Sequence, residues 1–441
     1  MESEYPGIIL SYNKESSQNS LDCNKDIDRL KYIFVFFIAL FFFIMLILPA
    51  TYQLPRGIYL AILTLAALAA AVKYWRCDQD IVAIWLVTLI TGLFFIIEGI
   101  INYAPGALRV TTIYIIWPCV YILFIGLVHE VKPILILLKT LIAGIFFSCV
   151  FNLLLLIGAV AGYKAEIVRL LQFQGAGIGL YDDYIELTAY NLTTCIYGLP
   201  FLGALLLLSK NKLTQKIASS TTILVVLIFD LIVCIVSGRR AFWLIALISP
   251  FVIYFLFFIS GQQLKLKNLI KVIVTSGLLI FSVILFLKMD LKALGQLFIS
   301  AFDLYDTGVV SVRHEQFWNL LYFWSQHPLL GYGLGASIGH LIRSNAMSWT
   351  YELSYMSLLF HTGILGTTIY TLSVLWIFFA GIQITKRYPE SAVIILPLLC
   401  GLAGFLIINA TNPYLGKFDY LWTIFLPVAA INAYRTNNAT H

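Results

Sequence analysis

The chain has 441 residues, of which 61% are hydrophobic and 11% charged, with a net charge of +6 and a mean hydropathy of +0.91. Soluble globular chains carry roughly 25% charged residues, so this composition excludes a soluble enzyme, a disordered protein and a secreted disulfide scaffold. Apolar runs of about 18 residues or more, long enough to cross ~30 Å of hydrocarbon, predict an all-α, polytopic transmembrane helical bundle.

Residues 1–31 are polar and mixed in charge, unlike the basic start of a cleaved signal peptide, and read as a cytoplasmic tail. Twelve spans follow: 32–50, 57–73, 81–101, 110–128, 137–161, 187–208, 217–236, 241–259, 269–287, 353–380, 392–410 and 418–433. They leave transmembrane helices 1–9 within 32–287, a large extracytoplasmic loop at 288–352, helices 10–12 within 353–433, and a short tail at 434–441. With the N-terminus inside, 17 Lys and Arg fall on inner segments and 11 on outer ones, which puts both termini in the cytoplasm. The cysteines show no CxxC or Cys/His spacing, so neither a structural zinc nor a disulfide framework is expected.

Two outer segments stand apart. The stretch 162–186 carries alternating glycines and then Tyr181-Asp182-Asp183-Tyr184. The loop 288–352 is far longer than an ordinary connection, and Phe317, Trp318, Leu320, Leu321, Phe323 and Trp324 predict an amphipathic helix on the outer membrane face.

Three motifs fall on that outer side. Ser237-Gly238-Arg239-Arg240-Ala241-Phe242-Trp243 places two arginines where the positive-inside rule disfavours them, and guanidinium forks match phosphate oxygens. The alternative is that they snorkel to headgroups or pair with an acid such as Asp230. Ser311-Val312-Arg313-His314-Glu315-Gln316 opens the amphipathic helix, and Pro328-Leu329-Leu330-Gly331-Tyr332-Gly333-Leu334-Gly335 follows it. Its glycines permit a tight turn or a close backbone approach to a ligand. Tyr351-Glu352-Leu353-Ser354-Tyr355 then places a carboxylate where the loop enters the tenth span. That residue is either a favourable charge at a helix N-terminus or an acceptor for a hydroxyl proton.

In order, spacing and topology these motifs resemble the O-antigen polymerase and O-antigen ligase superfamily of membrane glycosyltransferases. The resemblance covers roughly 237–366 by motif and the whole chain by hydropathy. Glu352 stands about eleven positions before Gly363 of a Gly-x-x-Gly, where the ligase branch usually carries His, so the chain looks like the polymerase branch. The resemblance implies transfer of a nascent glycan from undecaprenyl diphosphate onto the next lipid-linked repeat unit, at the periplasmic face of a bacterial inner membrane. Arg239, Arg240 and Arg313 would bind the diphosphate, with Glu352 and Arg313 catalytic. His340, Arg343, Tyr351, His314, Asp182 and Asp183 would contact substrate. No cofactor, metal or nucleic acid is implied, and Asp182-Asp183, Asp303 and Asp306 form no Asp-x-Asp pattern. Membrane lipids, a flippase and a chain-length regulator are the expected partners. A ligase of the same superfamily and a lipid-linked oligosaccharide transporter are the alternatives.

Overall fold

A computed structural model describes residues 32–160, 177–180, 185–262, 277, 309–339, 341 and 347–438. Among these residues there are thirteen helices: α1 (Tyr32–Ile47), α2 (Gln53–Tyr74), α3 (Gln79–Ile101), α4 (Ala107–Leu127), α5 (Val131–Val160), α6 (Leu192–Leu207), α7 (Lys212–Ile217), α8 (Ser220–Val236), α9 (Arg240–Ile259), α10 (Val309–Gln326), α11 (Ser354–Arg387), α12 (Ala392–Asn409) and α13 (Trp422–Asn438). A two-stranded antiparallel hairpin, β1 (Gly177–Leu180) and β2 (Ile185–Thr188), pairs Gly177 with Thr188 and Leu180 with Ile185. The molecule is a multi-pass helical membrane protein.

The expectation of twelve spans is corrected: among the described residues seven helices are long and apolar enough to cross, namely α2, α3, α4, α5, α9, α11 and the helix ending at Asn409. Helices α1, α6 and α8 are apolar but shorter, 10–17 residues. At 1.5 Å per residue a helix of that length reaches at most about 25 Å, short of the ~30 Å of hydrocarbon. Part of the deficit has a local cause: Leu187 and Thr188, read as the start of the sixth span, belong to strand β2. The hairpin is likewise an exception to the all-α expectation. The last predicted span shifts towards the C-terminus, with a 3-10 turn at Phe418–Tyr420 ahead of α13. The predicted span 269–287, apart from residue 277, lies outside the described residues, as do the tail 1–31 and much of the loop 288–352.

Packing is centred on α12, whose spanning window is 83% buried, against 11% for α2. Leu54, Ile58, Ile62, Leu65 and Val72 of α2 are exposed, an arrangement stable only against lipid. Contacts tie distant connections together at each end of the bundle. At one end Arg56 pairs with Asp419, both buried, and Ala50 donates its amide to Asp419. At the other, Arg435 Nη1 meets Asp78 Oδ1 at 2.9 Å, and Asn432 Nδ2 donates to the Arg76 and Ile125 carbonyls.

The segment 328–335 enters a break in α11. Gly363 adopts φ 58°, ψ −166°, which interrupts the helix and removes the normal partners of the Phe360 and His361 carbonyls. The amides of Tyr332 and Gly333 donate to those two carbonyls at 3.0 and 2.9 Å, while Ile364 and Leu365 donate instead to Pro328 and Leu329. Leu334 donates to Phe95 O of α3, and Gly106 donates to Gly335 O. A Cβ at Gly333 would stand 2.3 Å from the Gly99 amide nitrogen, and one at Gly335 would stand 2.3 Å from that of Ala107. The glycines thus permit backbone to approach backbone. A small second core forms beneath this segment from Leu320, Ala336, Ile338, Leu341, Tyr351 and Phe360.

Candidate functional site

Helix α10 lays Gln316 and Leu320 inward, 2% and 0% exposed, and leaves Trp318 and Tyr322 more than half exposed. Arg313 stands one turn before Gln316, so both reach the same neighbour. That neighbour is the bend ahead of α11. Arg313 Nε donates to Glu352 Oε2 at 2.7 Å, and the Glu352 amide donates to Gln316 Oε1 at 3.0 Å. Helix α11 begins at Ser354 with no acid in its first turn, so Glu352 is fixed by α10 rather than by the α11 dipole.

The pair is accessible on one side. The side chain of Arg313 is 37% exposed and that of Glu352 14% exposed. Among the described residues, no partner takes the terminal Nη groups of Arg313. A guanidinium anchored through Nε keeps two donor groups in fixed directions, a geometry suited to an incoming oxyanion.

Tyr351 is 1% exposed, and its hydroxyl accepts the Ile338 amide at 2.7 Å, so it supports the loop from below. Burial pushes its phenol up to about 12, and the Ile338 hydrogen bond works against that shift. His314 is exposed on the far side of α10, edge-on to Trp318 with ring centroids 6.1 Å apart. His361, one turn past Ser357, meets the Ala336 carbonyl through Nε2 at 2.9 Å.

The arginine motif lies at the α8–α9 turn. Gly238 has φ 66° and Arg239 is extended, which ends α8 and starts α9. Strand β2 is tied to this turn, since the Leu187 amide donates to Ser237 O at 2.8 Å. Arg239 Nε faces Glu186 Oε1 at 3.5 Å. Arg240 is the first residue of α9, and its side chain lies outside the described residues. Asp182, Asp183, His340 and Arg343 also lie outside them, together with Asp303 and Asp306.

The structure therefore joins Arg313 to Glu352 across 39 positions and Arg239 to Glu186 across the hairpin junction. Gln316 and the Gly363 break were not picked out from sequence. Gln316 was legible as the polar residue one turn beyond Arg313. An apolar cleft lined by Phe41, Phe42, Trp117, Tyr121, Trp422 and Phe425 lies among α1, α4 and α13, helices that do not carry the Arg313–Glu352 pair. No protein-family model matches the chain, and no curated protein is detectably similar to it.

Proposed function

We propose that this protein is a membrane glycosyltransferase of the O-antigen polymerase type, acting on undecaprenyl-diphosphate-linked glycans. The observation that carries the reading is the Arg313–Glu352 pair, held at 2.7 Å where α10 meets the start of α11. In the proposed reaction the bond between the anomeric carbon and the diphosphate oxygen breaks. A bond forms to a hydroxyl oxygen of the acceptor repeat unit, and the hydroxyl proton passes to Glu352. Undecaprenyl diphosphate leaves with the bonding electrons. Arg313, with Arg239 and Arg240, offsets its growing negative charge; loss of one such donor commonly costs 10²–10³ in rate in comparable sites.

The carboxylate assists only when it can face the acceptor, so the acceptor hydroxyl competes for it with Arg313. Anchoring through Gln316 keeps the main chain of Glu352 in place during that exchange. The reaction is proposed to need no metal and takes place on the periplasmic side of a bacterial inner membrane.

The test is chain length in cells whose endogenous polymerase is deleted. Glu352→Gln and Arg313→Ala are expected to leave single repeat units on the lipid core, with protein still in the membrane. Long chains in both variants would overturn the proposal, and complete loss of core-attached glycan would point to a ligase. Turnover by purified protein in the presence of a chelator is expected; loss restored by magnesium would overturn the metal-free mechanism.

A further inference from the structure

A second cluster of reactive side chains is buried inside the bundle, away from the Arg313–Glu352 pair. Cys149 comes from α5, Cys195 from α6 and Asp230 from α8, and each residue is fully buried. Cys149 Sγ stands 3.8 Å from Cys195 Sγ and 3.7 Å from Asp230 Oδ1. All three ligand atoms lie within 4.8 Å of one another.

Two features separate this group from ordinary core thiols. Asp230 Oδ2 is buried with no hydrogen-bond partner among the described residues, although a lone buried carboxylate oxygen is costly. Across from it α6 carries Gly198, where a Cβ would stand 2.7 Å from that oxygen. The glycine leaves the space the carboxylate occupies.

The spacing matches a definite ligand geometry. A tetrahedral ion with bonds of about 2.3 Å to sulfur and 2.0–2.2 Å to oxygen sets sulfur–sulfur edges near ~3.8 Å and sulfur–oxygen edges near ~3.6 Å. Two of the three edges, at 3.8 and 3.7 Å, fall on those values, and the third lies within 4.8 Å. We propose that Cys149, Cys195 and Asp230 form a buried binding site for a borderline-soft divalent cation of the zinc class. Thiolate ligands select such ions over magnesium or calcium. Cys234, one turn beyond Asp230 on α8, is also buried but stands outside this three-atom group.

Binding requires both thiols to lose their protons, which are released to solvent. Two buried asparagines stand on the hairpin side of the cluster. Asn152, three residues beyond Cys149, donates to Asn191 Oδ1 at 3.1 Å, and its own Oδ1 is unpartnered among the described residues. The ion would link three helices that cannot meet through backbone hydrogen bonds. Because α6 and α8 are among the shorter apolar helices, such a tie stabilises a part of the bundle that length alone does not anchor.

The experiment uses full-length protein purified in detergent with a histidine-free tag, stripped with chelator under reducing conditions and titrated with cobalt and then zinc. One equivalent of cobalt is expected to give the thiolate charge-transfer band and intense visible bands of a tetrahedral site, both abolished by zinc. Cys149→Ser and Asp230→Asn are expected to weaken binding at least tenfold, while Cys119→Ser leaves it unchanged. Absence of the cobalt band in the wild-type protein, or its persistence in Cys149→Ser/Cys195→Ser, would overturn the proposal. X-ray absorption of the zinc-loaded wild-type protein needs no variant to fold; two sulfur ligands support the site, and fewer refute it.

Discussion

The amide of Gly333 donates to the carbonyl of His361 at 2.9 Å, replacing a hydrogen bond that α11 loses at Gly363. Three further exchanges of the same kind splice residues 328–333 into the helix. A membrane-embedded helix tolerates a break only where its freed backbone groups find other partners, and this segment supplies them. Gly333→Ala would combine a positive φ of 84° with a Cβ 2.3 Å from the backbone of Gly99. Backbone strain of this kind costs about 1–3 kcal/mol before the clash is added. A fall of several degrees in the detergent melting midpoint is expected, with Gly339→Ala, which meets nothing within 4 Å, as the silent control.

Tyr351→Phe keeps the ring and removes the oxygen that accepts the buried Ile338 amide. An orphaned donor of that kind costs about 1–3 kcal/mol, so thermal stability should drop. Because Tyr351 supports the loop from below, chain length should change only as far as protein abundance does. Normal abundance with shortened chains would instead place its hydroxyl at the substrate.

The Arg56–Asp419 pair is buried on both sides, 7% and 3% exposed. Removing one member leaves the other charged and unpaired, at a cost of about 3–5 kcal/mol. Arg56→Met and Asp419→Leu should therefore each be damaging, and the double variant less so than the two effects added. A double-mutant cycle on melting midpoints measures the difference, and simple additivity would argue against the pair.

Arg239 and Glu186 are each about one-quarter to one-third exposed, and such pairs contribute about 0–1 kcal/mol. Glu186→Gln should leave stability within that range. Under the proposed function Arg239→Ala lowers polymer output well beyond the effect of Glu186→Gln, as seen by chain-length profiles at matched expression. Equal effects would assign Arg239 to anchoring the hairpin.

The Arg56–Asp419 and Arg435–Asp78 contacts mark the two ends of the bundle, and Tyr420 OH donating to Tyr190 O ties the start of α6 to the Asp419 end, which puts Asn102 and Lys210 at opposite ends. In a Cys119→Ser background, a membrane-impermeant maleimide should label Asn102→Cys in intact spheroplasts and Lys210→Cys only after lysis. The reverse pattern would invert the orientation derived from the loop charges.

Much of the site was legible because its residues violate strong local expectations. Arg239 and Arg313 fall on segments that the loop-charge reading assigns to the side poorer in basic residues, and Glu352 sits where an apolar run begins. Their partners were not legible. The Arg313–Glu352 contact spans 39 positions and needs α10 to lie across the start of α11. Asp230 was considered as a partner for the arginines; the structure instead sets it against Cys149. The cysteine spacing gave no sign of that cluster, since each ligand comes from a different helix.

Composition and the length of the apolar runs alone determined that this chain is a helical membrane protein, because a polypeptide in hydrocarbon must satisfy its backbone internally. They could not decide how many helices cross. A hydropathy run does not reveal that residues 185–188 form a strand, or that Gly363 breaks α11 to receive another segment. The strand depends on cross-strand pairing with residues 177–180, and the break on hydrogen bonds with a segment about 30 positions away; neither is written in hydropathy, and only the folded structure brings the partners together.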